Sequence, residues 1–225
     1  MSAAASWRDQ LPASLRPYVE REPLAALMLG LSSGFPYAMI GATLTTRLAQ
    51  DGIDKKSVTA FSLAFLVYNF KFLWAPLVDG FRIPLLGRLG QRVSWLLLAG
   101  TLVMIAVAWL GMLDPSDDLM RVAMAAVAVG AAGATYDIVI DAYRIELLEP
   151  RQLGVGSGMS QYGWRIGAAS AGGLALVIAA LIIGSSIVMT VPGGPTLLGL
   201  RFFGLLGFAG AVIGIIIALA MFFVG

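Results

Sequence analysis

Residues Lys71–Asp79 read KFLWAPLVD, a lysine, a proline and an aspartate set in otherwise membrane-grade apolar sequence. The run before them, VTAFSLAFLVYNF (58–70), is equally apolar, with Tyr68 and Asn69 next to the lysine. An ionised group in the hydrocarbon core costs about 2.5–3.5 kcal/mol on insertion scales. Lys71 lies near the middle of this run and Asp79 at its end, so their charges call for separate explanations.

Composition settles the solvent. Of 225 residues, 59% are hydrophobic and 12% charged, and the mean hydropathy is +0.86. Soluble domains average about 45–50% apolar and about 25% charged residues. This chain cannot cover its surface with polar groups, so it is an integral membrane protein, and its apolar runs are continuous rather than alternating, which predicts helices and not a β-barrel. A net charge of +2 gives no nucleic-acid footprint. Cysteine and histidine are absent, which excludes disulfides, thiolate chemistry and the usual zinc or haem ligation; no cofactor or metal is expected. Residues 1–23 hold Trp7, Arg8, Asp9, Arg16, Glu20 and Arg21 with no apolar core, so no cleavable signal peptide is expected.

Six segments approach the ~20 residues that a bilayer requires: 24–46, 58–79, 94–113, 119–141, 156–184 and 198–224. The expected organisation is a cytoplasmic segment, 1–23, followed by an all-α six-helix transmembrane bundle, 24–225. With the N-terminus inside, Arg8, Arg16, Arg21, Arg82, Arg88, Arg92, Arg144 and Arg151 fall on the cytoplasmic side. Arg47, Lys55, Lys56, Arg121 and Arg201 fall outside. The excess of basic residues favours that orientation, and six spans return the C-terminus to the cytoplasm.

Ionisable groups within the spans are the candidate pathway. Asp137 and Asp141 are four residues apart and share a helix face, with Arg144 nearly in line. Lys71 and Arg165 would balance the two aspartates, either as a self-neutralising structural set or as the lining of a substrate and proton cavity that includes Tyr68 and Asn69; intramembrane charges ordinarily face such cavities. Asp79, Arg88, Arg92 and Arg144 lie nearer the cytoplasmic boundary, where gating is expected. Gly34, Pro36 and Gly41 in SGFPYAMIG, and Pro76 in FLWAPLVD, predict irregular helix in the first and second spans. Gly163 and Gly167 belong to a glycine cluster that suits close helix packing or sliding. Two enzyme readings fail. DIVID (137–141) is a D-x-x-x-D pair like that of diphosphate-binding prenyltransferases, but Gly133 stands where those need Asn and a second acidic motif is missing; Tyr136–Asp137 lacks the GxGD partner of intramembrane aspartyl proteases. The chain is not read as an enzyme.

Taken together, SGFPYAMIGATL, YNFKFLWAPLVD, ATYDIVIDAYRIELL and GWRIG resemble, in order and spacing, the N-terminal half of the AmpG-type muropeptide permeases of the major facilitator superfamily, over roughly residues 22–175. The acetyl-CoA transporter family is related to them. The resemblance implies a bacterial inner-membrane transporter, driven by the proton gradient, that imports N-acetylglucosaminyl-anhydro-N-acetylmuramic acid, with or without peptide, for peptidoglycan recycling. It implies two six-helix halves around the path, the second absent here, so that another chain or segment completes it. It marks Lys71, Trp74, Pro76, Asp79, Asp137, Asp141, Arg144, Gly163, Arg165 and Gly167. Departures from the family pattern are Tyr136 in place of Gln, Gly80 in place of Arg, Val93 after Arg92, and Arg47 in place of Trp. An organic-anion transporter of the same fold and a truncated, non-transporting membrane protein are the alternatives.

Overall fold

Two aspartates start helices by capping them. Asp54 accepts from the Ser57 N–H at 3.1 Å and from its hydroxyl at 2.6 Å, and Asp118 accepts from the Arg121 N–H at 3.0 Å. Each satisfies a backbone donor that the first helical turn leaves open. The computed structural model of the chain describes residues 11–84 and 90–188, with side chains through residue 171 apart from Ala42 and Gln50. Arg88 and the sixth expected span, 198–224, lie outside the described residues. Those described form helices and connectors, with no strand among them.

The first apolar segment is α1 (Arg21–Ala38), a π turn (Met39–Thr43) and α2 (Leu44–Gln50). Pro36 lies inside α1. A proline there removes one rung of the ladder, and the backbone widens into the π turn directly after it. The expected irregularity around Pro36 and Gly41 is thus a widened turn within a continuous helix, not a break. Gly52, at φ +76°, ends the segment in the left-handed region that suits glycine.

The second segment is broken. It runs as α3 (Lys55–Ala60), a 3-10 stretch (Phe61–Phe65), α4 (Leu66–Asn69), a second 3-10 turn (Lys71–Leu73) and α5 (Ala75–Gly80). Pro76 stands in the first turn of α5, where its fixed φ and missing N–H cost nothing. Three long helices follow: α6 (Gln91–Met112), α7 (Leu119–Leu147) and α8 (Leu153–Val188). Among the described residues, three stretches are long and apolar enough to cross a membrane: Arg21–Ala49, Gln91–Met112 and Leu119–Leu147. The expected second span misses that count because its helix is interrupted.

α7 is the centre. Its Val122, Ala125, Ala126, Val129, Ala134 and Val139 are fully buried. α6 packs along α7, while α1 packs against α8. That second contact is backbone to backbone. A Cβ at Gly30 or Gly34 would stand 2.1 or 2.2 Å from the carbonyl oxygens of Ser160 or Trp164. A Cβ at Gly163 or Gly167 would stand 2.1 Å from those of Leu27 or Leu31. Two glycine pairs spaced by four, GLSSG and GWRIG, therefore face each other reciprocally. Lipid supplies no hydrophobic force between helices, and such close approach maximises dispersion contact instead.

Candidate functional site

Breaking the second segment sets Lys71 on a 3-10 turn against the middle of α7. Its ammonium bonds Asp137 Oδ2 and lies 3.6 Å from Asp141 Oδ2. The other Asp137 oxygen accepts from the Ser33 hydroxyl of α1 at 2.8 Å. Arg144 reaches Asp141 Oδ1 at 3.2 Å. Two cations and two carboxylates thus alternate along one face of α7. The cluster is half-open: Lys71, Asp137 and Asp141 side chains are 32%, 22% and 44% exposed. Neighbouring polar groups fix the frame. Trp74 Nε1 donates to Thr135 at 3.1 Å, and the Tyr136 hydroxyl donates to Ser32 at 3.2 Å.

Arg165 is placed elsewhere. Residues advance about 100° per step around a helix, so Arg165 stands roughly 200° from Gly163, which faces α1. It is exposed and pairs with no acid among the described residues. Arg144 takes the role expected of it as the second cation beside Asp141. Asn69 is exposed. The Tyr68 hydroxyl is buried without a hydrogen-bond partner among the described residues and points at Gly133, where a Cβ would come within 2.3 Å of it and 2.9 Å of Pro36 Cβ. Gly133, which stands where a diphosphate-binding motif would need Asn, leaves room for Tyr68 and Pro36.

A second ionic cluster stands at the end of the broken segment. Arg92, at the start of α6, holds Asp79 at 2.6 Å and Glu146 at 2.8 Å. Gln91 bonds the Asp79 carbonyl, and Trp95 Nε1 donates to the Phe81 carbonyl at 2.8 Å. Asp79 and Arg92, two of the residues expected near one membrane boundary, are thereby paired with each other within this chain, and Glu146 joins them. Two family departures also find local partners: Tyr136 through Ser32, and Arg47, whose guanidinium donates to the Leu110 carbonyl at 3.3 Å and to that of Leu113. Among the described residues no group of acids is arranged to hold a metal ion.

Helices of membrane length, with a lysine meeting two aspartates where one segment is broken, define a polytopic membrane protein. Comparison with known proteins narrows this. The chain is 38% identical over 165 residues to the anhydromuropeptide permease of Escherichia coli (strain K12), covering 73% of this chain and 33% of that protein. It is 36% identical over 152 residues to the "Putative transporter AmpG 4" of Rickettsia felis, 68% of this chain and 37% of that one. A Haemophilus influenzae protein is 35% identical over 161 residues, 72% of this chain and 37% of its own length. Over the matched stretch the chain belongs to the AmpG-type permease family. It spans about a third of the length of these relatives. Separately, residues 167–223 match the model of the ABC1/UbiB kinase-like C-terminal domain; most of that stretch lies outside the described residues.

Proposed function

We propose that the chain supplies the first part of a proton-coupled importer of muropeptides across the bacterial inner membrane. Its substrates are N-acetylglucosaminyl-anhydro-N-acetylmuramic acid and its peptide-bearing forms. The observation that carries this is Lys71 standing between Asp137 and Asp141 on the opened face of α7. A lysine with two carboxylates in reach is a two-position element. A proton on Asp137 removes one partner, and the ammonium passes to Asp141 without being stranded, so protonation biases two arrangements of the same helices. Ser33 remains to orient the protonated Asp137.

In this reading, 1–23 is cytoplasmic and 24–225 forms a six-span half of a major-facilitator fold. A second half, in the same or another chain, completes the path and rocks against the first. Asp79, Arg92 and Arg144, with Arg88, form the cytoplasmic latch, and Arg165 is free to meet an anionic group of the substrate. The test is uptake of labelled muropeptide by cells in which this sequence works in its full-length setting. Asp137→Asn is expected to abolish accumulation against a gradient. Undiminished, proton-driven accumulation would remove Asp137 from the coupling role.

A further inference from the structure

Beside the ionic cluster stands an aromatic group that the charges do not involve. Tyr37 of α1 is its hub. Its ring centroid lies 4.8 Å from Phe65, 5.6 Å from Tyr68 and 5.2 Å from Trp164, the last two edge-on. The second segment and α8 therefore turn three aromatic rings onto one tyrosine of α1. Such geometry also serves ordinary packing, but here the hub is not covered: Tyr37 remains 37% exposed. It stands one helical turn beyond Ser33, which holds Asp137. Tyr68 likewise stands three residues before Lys71. The open aromatic face thus lies one turn from the two groups, Ser33 and Lys71, that hold Asp137 of α7.

That combination has a chemical counterpart. A pyranose ring presents axial C–H groups on one face and hydroxyls around its rim. The C–H face stacks on an electron-rich aromatic ring, while rim hydroxyls donate to carboxylates. Small-molecule sites commonly combine aromatic walls with a few fixed polar groups in this way. A peptide alone has no flat C–H face to offer. Resting on the muropeptide reading above, we infer that the box around Tyr37 is a sugar-ring subsite, in which Tyr37 and Trp164 stack on the pyranose and determine specificity for the disaccharide over the peptide.

The test is binding to this sequence in its full-length setting, purified in lipid nanodiscs and followed calorimetrically. The probes are the anhydro-disaccharide, the disaccharide–tetrapeptide and the free tetrapeptide. The two sugar-bearing probes are expected to bind with similar Kd and the free peptide not at all. Tyr37→Phe, which keeps the ring, should stay within about twofold, while Tyr37→Leu and Trp164→Leu each weaken disaccharide binding about tenfold. Thermal unfolding of each variant reports whether the bundle is intact. If folded Tyr37→Leu and Trp164→Leu bind the disaccharide as tightly as the parent, the subsite is refuted while the muropeptide reading stands. Binding of the free peptide with the disaccharide ignored also refutes the subsite. Failure of all three probes to bind the parent chain overturns both.

Discussion

Gly34 of α1 meets the backbone of Trp164 in α8 with no side chain between them: a Cβ there would stand 2.2 Å from the Trp164 carbonyl oxygen and 2.7 Å from the Ala168 nitrogen. Neither neighbour is a flexible side chain, so the helices themselves must separate to admit a methyl group. Gly34→Ala and Gly167→Ala are expected to cost about 1–3 kcal/mol, the usual range for overpacking. Gly154→Ala is the control, because nothing lies within 4 Å of a Cβ at that position and alanine favours helix. Thermal unfolding in detergent checks the contrast. Equal midpoints for Gly34→Ala and Gly154→Ala would refute the close approach.

Lys71 and Asp137 are expected to fail a simple additivity test. Lys71→Met leaves two carboxylates facing each other with Arg144 alone to balance them, whereas Asp137→Asn leaves Lys71 its second partner at 3.6 Å. Removing one member of a desolvated pair costs more than removing both. Because the side chains here are 32% and 22% exposed, the cost is reduced by solvent, to about 1–2 kcal/mol for Lys71→Met. The double variant should regain part of it. A double-mutant cycle on unfolding free energies measures the coupling, and strict additivity would show the pair to be energetically idle.

The Arg92 cluster predicts a local opening. The chain has no cysteine, so a single Val78→Cys reporter can be introduced at a residue only 1% exposed. Exposed ion pairs each contribute about 0.2–1 kcal/mol. Arg92→Ala releases both Asp79 and Glu146 and should raise maleimide labelling of that cysteine about two- to fivefold. Asp79→Asn should raise it less. No change with Arg92→Ala would mean that the end of the broken segment is held by packing and by the Gln91 and Trp95 bonds alone.

What was legible in the sequence divides along physical lines. Apolar length declares helices locally, so four of the expected spans match long helical stretches. The spacing of Asp137 and Asp141 declares a shared face, and Lys71 as an isolated cation declares its partners by charge alone. Arg165 misled because charge balance says nothing about azimuth: the glycines on either side of it turn its helix face away. Glu146 and Gly133 were invisible for a related reason. A carboxylate at a helix end looks like ordinary boundary polarity, and a glycine's purpose depends on what another helix brings to it. The interruptions at Phe70 and Trp74 carry no breaker residue of their own; only Pro76 hints at them.

Asp54 ties the start of α3 to pH. Ser57, through its hydroxyl and then its N–H, holds the Asp54 carboxyl below the ordinary aspartate range. A depressed carboxylate contributes stability that is present above its unfolded pKa and lost as pH falls through the folded one. The α3 start should therefore be intact at neutral pH and fray only in acid beneath the normal aspartate range. Hydrogen exchange of the Ser57 and Val58 amides, corrected for the intrinsic pH effect, checks this. Asp54→Ala should show the acid-like exchange at every pH; retained protection in that variant would assign the helix start to packing.

Arg47 is a buried cation. It is only 6% exposed, yet it lies where α6 ends, donating to the carbonyls of Leu110 and Leu113 with Asp51 at 3.8 Å behind it. The last carbonyls of a helix lack intrahelical donors and carry the negative end of its dipole, so a guanidinium there supplies hydrogen bonds and charge together. Arg47→Leu strands those acceptors and should cost about 1–3 kcal/mol. Arg47→Lys keeps the charge but loses the planar fork that reaches two carbonyls at once, and should fall between. Unfolding midpoints of the three forms decide it: if leucine equals arginine, the carbonyls are satisfied without this side chain, and the departure to Arg47 has no stabilising role at the end of α6.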